Sequence, residues 1–530
     1  MIIPFPSSSS PNLTAAIDVS HWRQYYRDHL RDRLLWATTY VLKQPLFQTE
    51  RHVRSFLSLL QQARIFRELD ELAVTLIAAL HPWPQRWGEW ELWESELRFA
   101  VQAYKLLGRP ILQAEYLTYL AERLTLKGHL EEAKDVAQQA LTLAQACRSV
   151  VPLSRAGVAL ISVYDLQAEY ETSEVLLQSL ESGLEALRPH APKQEFVLAQ
   201  TYLGLPRSTV LRKQGQILQA IQLMDHLIAN LETLRPSEPY LLGELYRTRG
   251  LMHWVYVQYP EAKRDLHRAM TLFAQEGDAY AEAYTQSILG LVHWSLSELD
   301  EAERTFRRSI AYDEQANARW RLTRDVGNLA LVYLSRGELE ETLVLLERHE
   351  QLALQLNDTW ELHRVRGHRA EVQLCQRQAQ EAREVLQETY DYGQKYGSRE
   401  GFGLDCLALG LCHVQLGNIS QALQLYEEAL TLSQRINSPA LETLALRYLA
   451  SEVDVERGRT YLQRALALAQ TCGRRLDVAF CLLTLASIAE SSETRAQYWK
   501  LGVQELEAIG ATAWLKLATP ESLPCFPPLL

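Results

Sequence analysis

The sequence predicts an all-α protein, a right-handed superhelical solenoid of about ten helix pairs. Three observations lead there. One phrase, a small residue followed by apolar positions, a short turn, an acidic residue and an alanine, recurs at a constant interval. Apolar residues fall with the period of helices, and no stretch reads as a strand. With 47% hydrophobic and 22% charged residues over 530 positions, the chain can build a packed core, and its length suits an array that grows along one axis.

Taken in order, residues 1–12 (MIIPFPSSSSPN) read as a loose, disordered tail. No basic residues precede its short apolar start, and no stretch of the chain reaches the roughly 18 apolar residues of a membrane span. Residues 13–110 are helical in pattern, as in HWRQYYRDHLRDRLLWATTYVL (21–42), and are expected to form an amino-terminal bundle or degenerate repeats. Within them Trp83, Trp87, Trp90 and Trp93 stand three or four apart. Packing in a capping layer and a partner-docking patch are the two readings of that face.

From residue 111 to 510 the chain repeats itself. The phrase appears as GLMHWVYVQYPEA (250–262), GLVHWSLSELDEA (290–302), ALVYLSRGELEET (330–342), AEVQLCQRQAQEA (370–382) and GLCHVQLGNISQA (410–422). Its last residues, Ala262, Ala302, Thr342, Ala382 and Ala422, sit 40 apart. Weaker copies carry the register back through Ala220, Ser173 and Ala133 and forward through Gly458 and Ala496. In the first unit (124–145) an apolar helix ends at a turn on Gly128, and Ala133, Ala137 and Ala140 share one face of the next helix. Residues 511–530 are expected to cap the last repeat and end in a proline-rich tail, because TPESLPCFPPLL (519–530) cannot continue a helix.

The small residue followed twelve positions later by alanine, best seen in Gly290 with Ala302 and Gly410 with Ala422, resembles the tetratricopeptide repeat. Two antiparallel helices approach closely only where side chains shrink, and the next unit covers the apolar edge left over. The interval of 40 exceeds the family's usual length of about 34, which is similar to the arrays of bacterial signal-transduction ATPases and transcription regulators or of kinesin light chain. The resemblance implies a solenoid whose first helices line a concave groove for a protein or peptide.

Net charge, 54 basic against 65 acidic residues or −11, gives the whole molecule no generic attraction to nucleic acid or anionic membrane. Seven cysteines, odd in number and without a C-x-x-C pair, argue for reduced thiols in a cytoplasm and against zinc. There is no G-x-x-x-x-G-K, no H-E-x-x-H and no G-x-S-x-G, so neither catalytic residues nor a cofactor or metal site is expected, and the chain reads as no enzyme.

If Gly250, Gly290, Ala330, Ala370 and Gly410 face the second helix of each pair, the residues six, three and two before them and one and four after lie on the adjacent, groove-lining face. These offsets select Glu244, Arg247, Thr248 and Trp254, then Tyr284, Ser287 and Trp294, then Arg324, Asn328, Arg364, His368 and Glu371; one unit earlier come Tyr202, Thr209 and Arg212. Arginines mixed with aromatics in an acidic protein suit an acidic peptide or a free carboxylate. The plainer alternatives are that Trp254 and Trp294 fill the seam between repeats, and that the arginines pair with neighbouring glutamates. His253, His293 and His413 recur one residue before the tryptophan position and read as packing, not metal ligands.

The leading expectation is therefore a cytoplasmic adaptor or sensor, without membrane attachment, that holds a protein or peptide and serves a separate effector. A regulator binding nucleic acid through RTFRRSIAYDEQANARWRLTRD (304–325), with Trp320 and Tyr312 for stacking, is the second. A response-regulator phosphatase acting through residues 13–110 is the third.

Overall fold

The computed structural model describes residues 19–43, 50–81, 90–167, 169–235, 237–516 and 518. Both tails, residues 1–12 and 519–530, lie outside these, as do Trp83 and Trp87 and the side chain of Trp90. Among the described residues there are helices and turns and no strand.

Among the described residues four helices come first: α1 (Val19–Lys43), α2 (Glu50–Ala63), α3 (Asp70–Leu80) and α4 (Trp90–Leu106). Ten antiparallel pairs follow. They are α5 (Pro110–Leu126) with α6 (Leu130–Cys147), α7 (Val150–Leu166) with α8 (Tyr170–Leu187), α9 (Lys193–Lys213) with α10 (Ile217–Glu232), α11 (Pro239–Val255) with α12 (Tyr259–Gln275), and α13 (Ala279–Ser295) with α14 (Leu299–Gln315). Then come α15 (Arg319–Arg336) with α16 (Leu339–Leu356), α17 (Thr359–Cys375) with α18 (Ala379–Tyr396), α19 (Arg399–Gln415) with α20 (Ile419–Ile436), α21 (Pro439–Ser451) with α22 (Val455–Cys472), and α23 (Arg475–Ser487) with α24 (Ser492–Ala508). The pairs build a right-handed superhelical solenoid.

The repeat phrase works as close approach. Ala262, Ala302 and Ala422 are fully buried, and a methyl group added at Gly290 would stand 2.8 Å from the Phe306 ring. The same position, sixteen residues after the small one, holds Leu266, Phe306, Leu346, Leu386 and Tyr426, all at 1% exposure or less. The large residue one turn beyond the alanine therefore fills the notch that glycine leaves. Gly290→Ala is expected to cost about 1–3 kcal/mol by overpacking, measured as a lowered urea midpoint at unchanged slope; a neutral result would mean that Phe306 can move aside. Four of the ten first helices, α13, α17, α19 and α21, also start on a repeated cap: Asp278, Asp358, Ser398 and Ser438 accept the backbone N–H three residues on, at 2.8, 3.1, 3.1 and 3.3 Å.

The register reaches back as expected, with Ala220 and Ala133 at 0% and Ser173 at 3% exposure, but not forward to the end. Ala496 is exposed, and Gly502 instead packs on Leu483 of α23. The physical reason is that Ala496 is the fifth residue of α24, whereas Ala422 and Gly458 are the fourth of their helices, so it is turned about 100° away from the buried position. At the other end the apolar core runs unbroken from Leu30 in α1 to Leu203 in α9, so the first four helices share the interior of the first repeats. Trp93 lies in that core at 0% exposure, its indole N–H directed to His81 Nδ1 at 3.4 Å.

The superhelix is wound tightly enough for successive turns to touch. Leu126, at the end of α5, packs on Ala316 and Ala318, and a Cβ at Gly128 would lie 3.4 Å from Leu356. The N–H of Leu476 donates to Ser297 Oγ at 2.9 Å across 179 residues. Beyond α24 a short 3-10 helix (Thr512–Lys516) places Trp514 on Gly337, where a Cβ would stand 2.9 Å from the indole and where a φ of +81° also favours glycine. The Trp514 indole N–H donates to the Ser335 carbonyl at 2.9 Å, and its ring meets Phe480 edge-on.

Candidate binding channel

Because the turns meet, the inner face is a channel walled by the first helix of each pair. A cavity of about 300 Å³ opens on it between α7, α9, α11 and α13. Ile161, Leu205, Leu251 and Ile288 make it apolar, and Asp165, Thr209, Glu244, Arg247, Thr248 and Tyr284 edge it. Pro206 sits in the wall; lacking an N–H, it leaves one backbone bond of α9 unmade where the cavity lies.

The residues singled out from sequence divide into three groups. Arg247 and Tyr284 meet in the cavity rim, the guanidinium 4.4 Å over the ring, and Arg247 is held by an ion pair to Glu244. Tyr202 lies nearer the amino-terminal end of the channel, half-buried, with the Arg155 guanidinium 5.5 Å from its ring. Trp254 and Trp294 are withdrawn into the seams between repeats: each indole N–H donates to the serine hydroxyl 41 residues on, Ser295 at 2.9 Å and Ser335 at 2.7 Å. Trp294, at 7% exposure, is a core residue and not a groove residue. The neighbouring histidines serve the turns, His253 Nδ1 meeting Gln258 at 2.7 Å and His293 pairing with Glu298.

Arg324 and Arg364 converge on Glu361, which the sequence pattern missed, and Asn328 joins them through Arg364. This carboxylate, 1% exposed, lies 3.2 Å from Arg364 Nε, 3.7 Å from Arg324 Nε and 2.9 Å from His349 Nε2. Arg364 also donates to the Arg324 carbonyl at 3.2 Å and to Asn328 Oδ1 at 3.3 Å. Burial by itself raises the Glu361 carboxyl, but Arg364, His349 and Arg324 outweigh it and hold it at about 2. His368, one turn further, pairs with Glu371 at 3.0 Å.

Arg212 differs from the others. Its Nε is buried with no hydrogen-bond partner, and among the described residues no acid forms an ion pair with it. Burial, and then the nearby Arg324 across the channel, pull its guanidinium below the usual arginine range. Lys213 takes Asp165 at 3.6 Å instead. Glu400 and Asp165 are near enough to act on Arg212 in the opposite sense, but neither reaches it as an ion pair.

The basic stretch 304–325 does not form one patch. Arg304 and Arg307 pair with Glu301 and Glu303 on α14, and Arg321 is buried against Asp313. Arg324 points into the channel network, over Trp320 at 4.9 Å.

Comparison with known structures places this architecture. A Rap protein complexed with Competence and Sporulation Factor aligns with a TM-score of 0.54 at 12% identity, covering 67% of this chain and 98% of that one. The Cut9–Hcn1 hetero-tetramer of the anaphase-promoting complex aligns at 0.50 and 12% identity, over 94% of this chain and 98% of that one. The fold is a tetratricopeptide-repeat solenoid. A family model described as anaphase-promoting complex subunit 5 matches two stretches of the solenoid, residues 246–322 and 371–451. No curated protein matches the sequence. No helix of the described residues is long and apolar enough to cross a membrane.

Proposed function

We propose that this protein is a non-enzymatic scaffold or sensor that takes a protein or peptide segment into its axial channel. An acidic group or free carboxylate of the ligand sits on Arg212, and an apolar side chain fills the cavity between α7, α9, α11 and α13. The protein then acts in the cytoplasm as a regulatory adaptor for a separate effector. The observation that carries this reading is Arg212: a guanidinium near Arg324 whose buried Nε has no hydrogen-bond partner and which forms no ion pair among the described residues, although Glu400 and Asp165 lie nearby; a cavity of about 300 Å³ opens between α7, α9, α11 and α13. An anion placed there makes charge-assisted hydrogen bonds to a half-buried guanidinium, where they are stronger than in bulk water. The Rap protein solved with a bound factor supports capture of such a ligand by this architecture. A ligand touching four first helices at once also ties together repeats that otherwise contact only neighbours, so its binding shifts the pitch that a partner reads.

The test is an affinity pull-down from the native host with wild type, Arg212→Gln and Thr248→Trp, the last filling the cavity. A protein or peptide held by wild type is expected to be recovered roughly tenfold less by either variant, with unchanged helical circular dichroism. Equal recovery by all three would remove the channel as the binding surface.

A further inference from the structure

The net charge of −11 hides a segregation. Residues 19–67 carry nine lysines and arginines against three acids, a net of +6, and leave 45 against 62, a net of −17, for the rest. On α1 this charge accompanies a stripe of flat groups: Trp22, Tyr26, His29, Arg33, Trp36 and Tyr40 follow one another at intervals of four and three and so share one face. That face is not core. Trp22 is 61% exposed, Tyr26 40% and Trp36 60%, whereas Leu30, Leu34 and Ala37 beside them are fully buried. Tyr25, 62% exposed, stands edge-on to Trp22, and Tyr40 stacks on Trp36 at 5.3 Å.

We propose that this face of α1 binds single-stranded nucleic acid. The Trp22 and Trp36 platforms are 14 residues apart, about 21 Å along the helix, or roughly six stacked nucleotides. Both rings are more than half exposed, with Tyr40 stacked on one face of Trp36; the exposed Arg33 lies between them on the stripe and the exposed Arg23 next to Trp22, for the phosphates. Asp28 and Asp32 pair with Arg27 at 3.2 Å and Arg31 at 3.4 Å, but these are solvent-exposed pairs between adjacent residues, which a phosphate can replace at little cost. The charge favours a polyanion. The stripe holds rings and guanidiniums and no aliphatic knob of the kind a docked protein helix needs, which favours base faces over a protein partner. The acidic solenoid repels the strand and confines it to this end of the molecule.

The experiment uses the full chain and a fluorescein-labelled oligothymidylate of about 20 nucleotides, with an oligouridylate as the RNA arm, followed by anisotropy between about 50 and 200 mM salt. Binding is expected, weakening as salt rises. Trp22→Ala with Trp36→Ala should weaken it about tenfold or more without flattening the salt slope. Arg23→Gln and Arg33→Gln together should flatten the slope by about 1.4. All these side chains are exposed, so circular dichroism should not change. The proposal is overturned by no anisotropy change at the lowest salt, or by binding that neither variant alters. It is equally overturned if the oligonucleotides do not bind while the same variants abolish self-association, or binding to phosphatidylserine vesicles; the stripe would then be a protein or lipid surface.

Discussion

Replacing Trp514 with alanine is expected to cost about 3–5 kcal/mol and to open the carboxy-terminal half of the superhelix. The indole is fully buried, hydrogen-bonded to the Ser335 carbonyl and packed on Gly337 and Phe480, so its removal leaves both a cavity and an unpaired carbonyl. Its contacts reach across 179 residues, so the loss falls on the seam between superhelical turns and not on a single repeat. Small-angle scattering should report a larger radius of gyration and thermal denaturation a lower midpoint, while the far-ultraviolet spectrum stays helical. If scattering and midpoint both match wild type, the turns are not held by this contact. A variant that opens the channel in this way should also admit the proposed ligand faster, since tightly wound turns leave lateral access only when the seam parts.

The second large effect is expected at Glu361. Glu361→Gln keeps the volume and removes the charge, leaving Arg364 buried and Arg324 beside it without their common acid, at a cost of about 3–5 kcal/mol. The pH dependence follows from the same cluster. The Glu361 carboxyl is depressed to about 2 in the folded protein, so its contribution is complete above the unfolded value of about 4.3 and disappears as pH falls from there through about 2. His349 acts earlier. Burial holds its imidazole below the usual 6.5, so the unfolded chain takes up a proton that the folded one refuses, and stability begins to fall as pH drops below that value. Urea unfolding between pH 7 and the acid limit should thus show two declines in wild type, with the lower one reduced in the variant; Glu303, also held at about 2, keeps its share of it. An identical acid profile for both proteins would mean that Glu361 is not the anchor of the cluster.

Much of the fold was legible because a repeat array is close to one-dimensional. The interval from Ala262 to Ala422, the small residues before it and the turn glycines report contacts between neighbouring helices, which a window of one or two repeats contains. The same offsets found Arg247 and Tyr284 on the cavity rim and brought Arg324, Asn328 and Arg364 together. They also selected Trp254 and Trp294, because a position near the small residue can face the groove or the next repeat, and only the serine hydroxyl 41 residues on decides between them. Glu361 escaped since it sits in the first turn of α17, ahead of every offset considered. Asp165 and Ile161 escaped for another reason: α7, α9 and α11 start at residues 150, 193 and 239, intervals of 43 and 46, so the register of 40 cannot be carried back to them.

The sequence by itself determined the helix pairs, the close contact within each pair and the order of stacking, since those depend on residues within one or two repeats of each other. The tertiary structure alone decided that Trp514 reaches Ser335, that Leu476 reaches Ser297 and that Arg212 faces Arg324. Such meetings depend on the small rotation each repeat adds to the last. That rotation accumulates over three or more repeats, and no single 40-residue unit contains it.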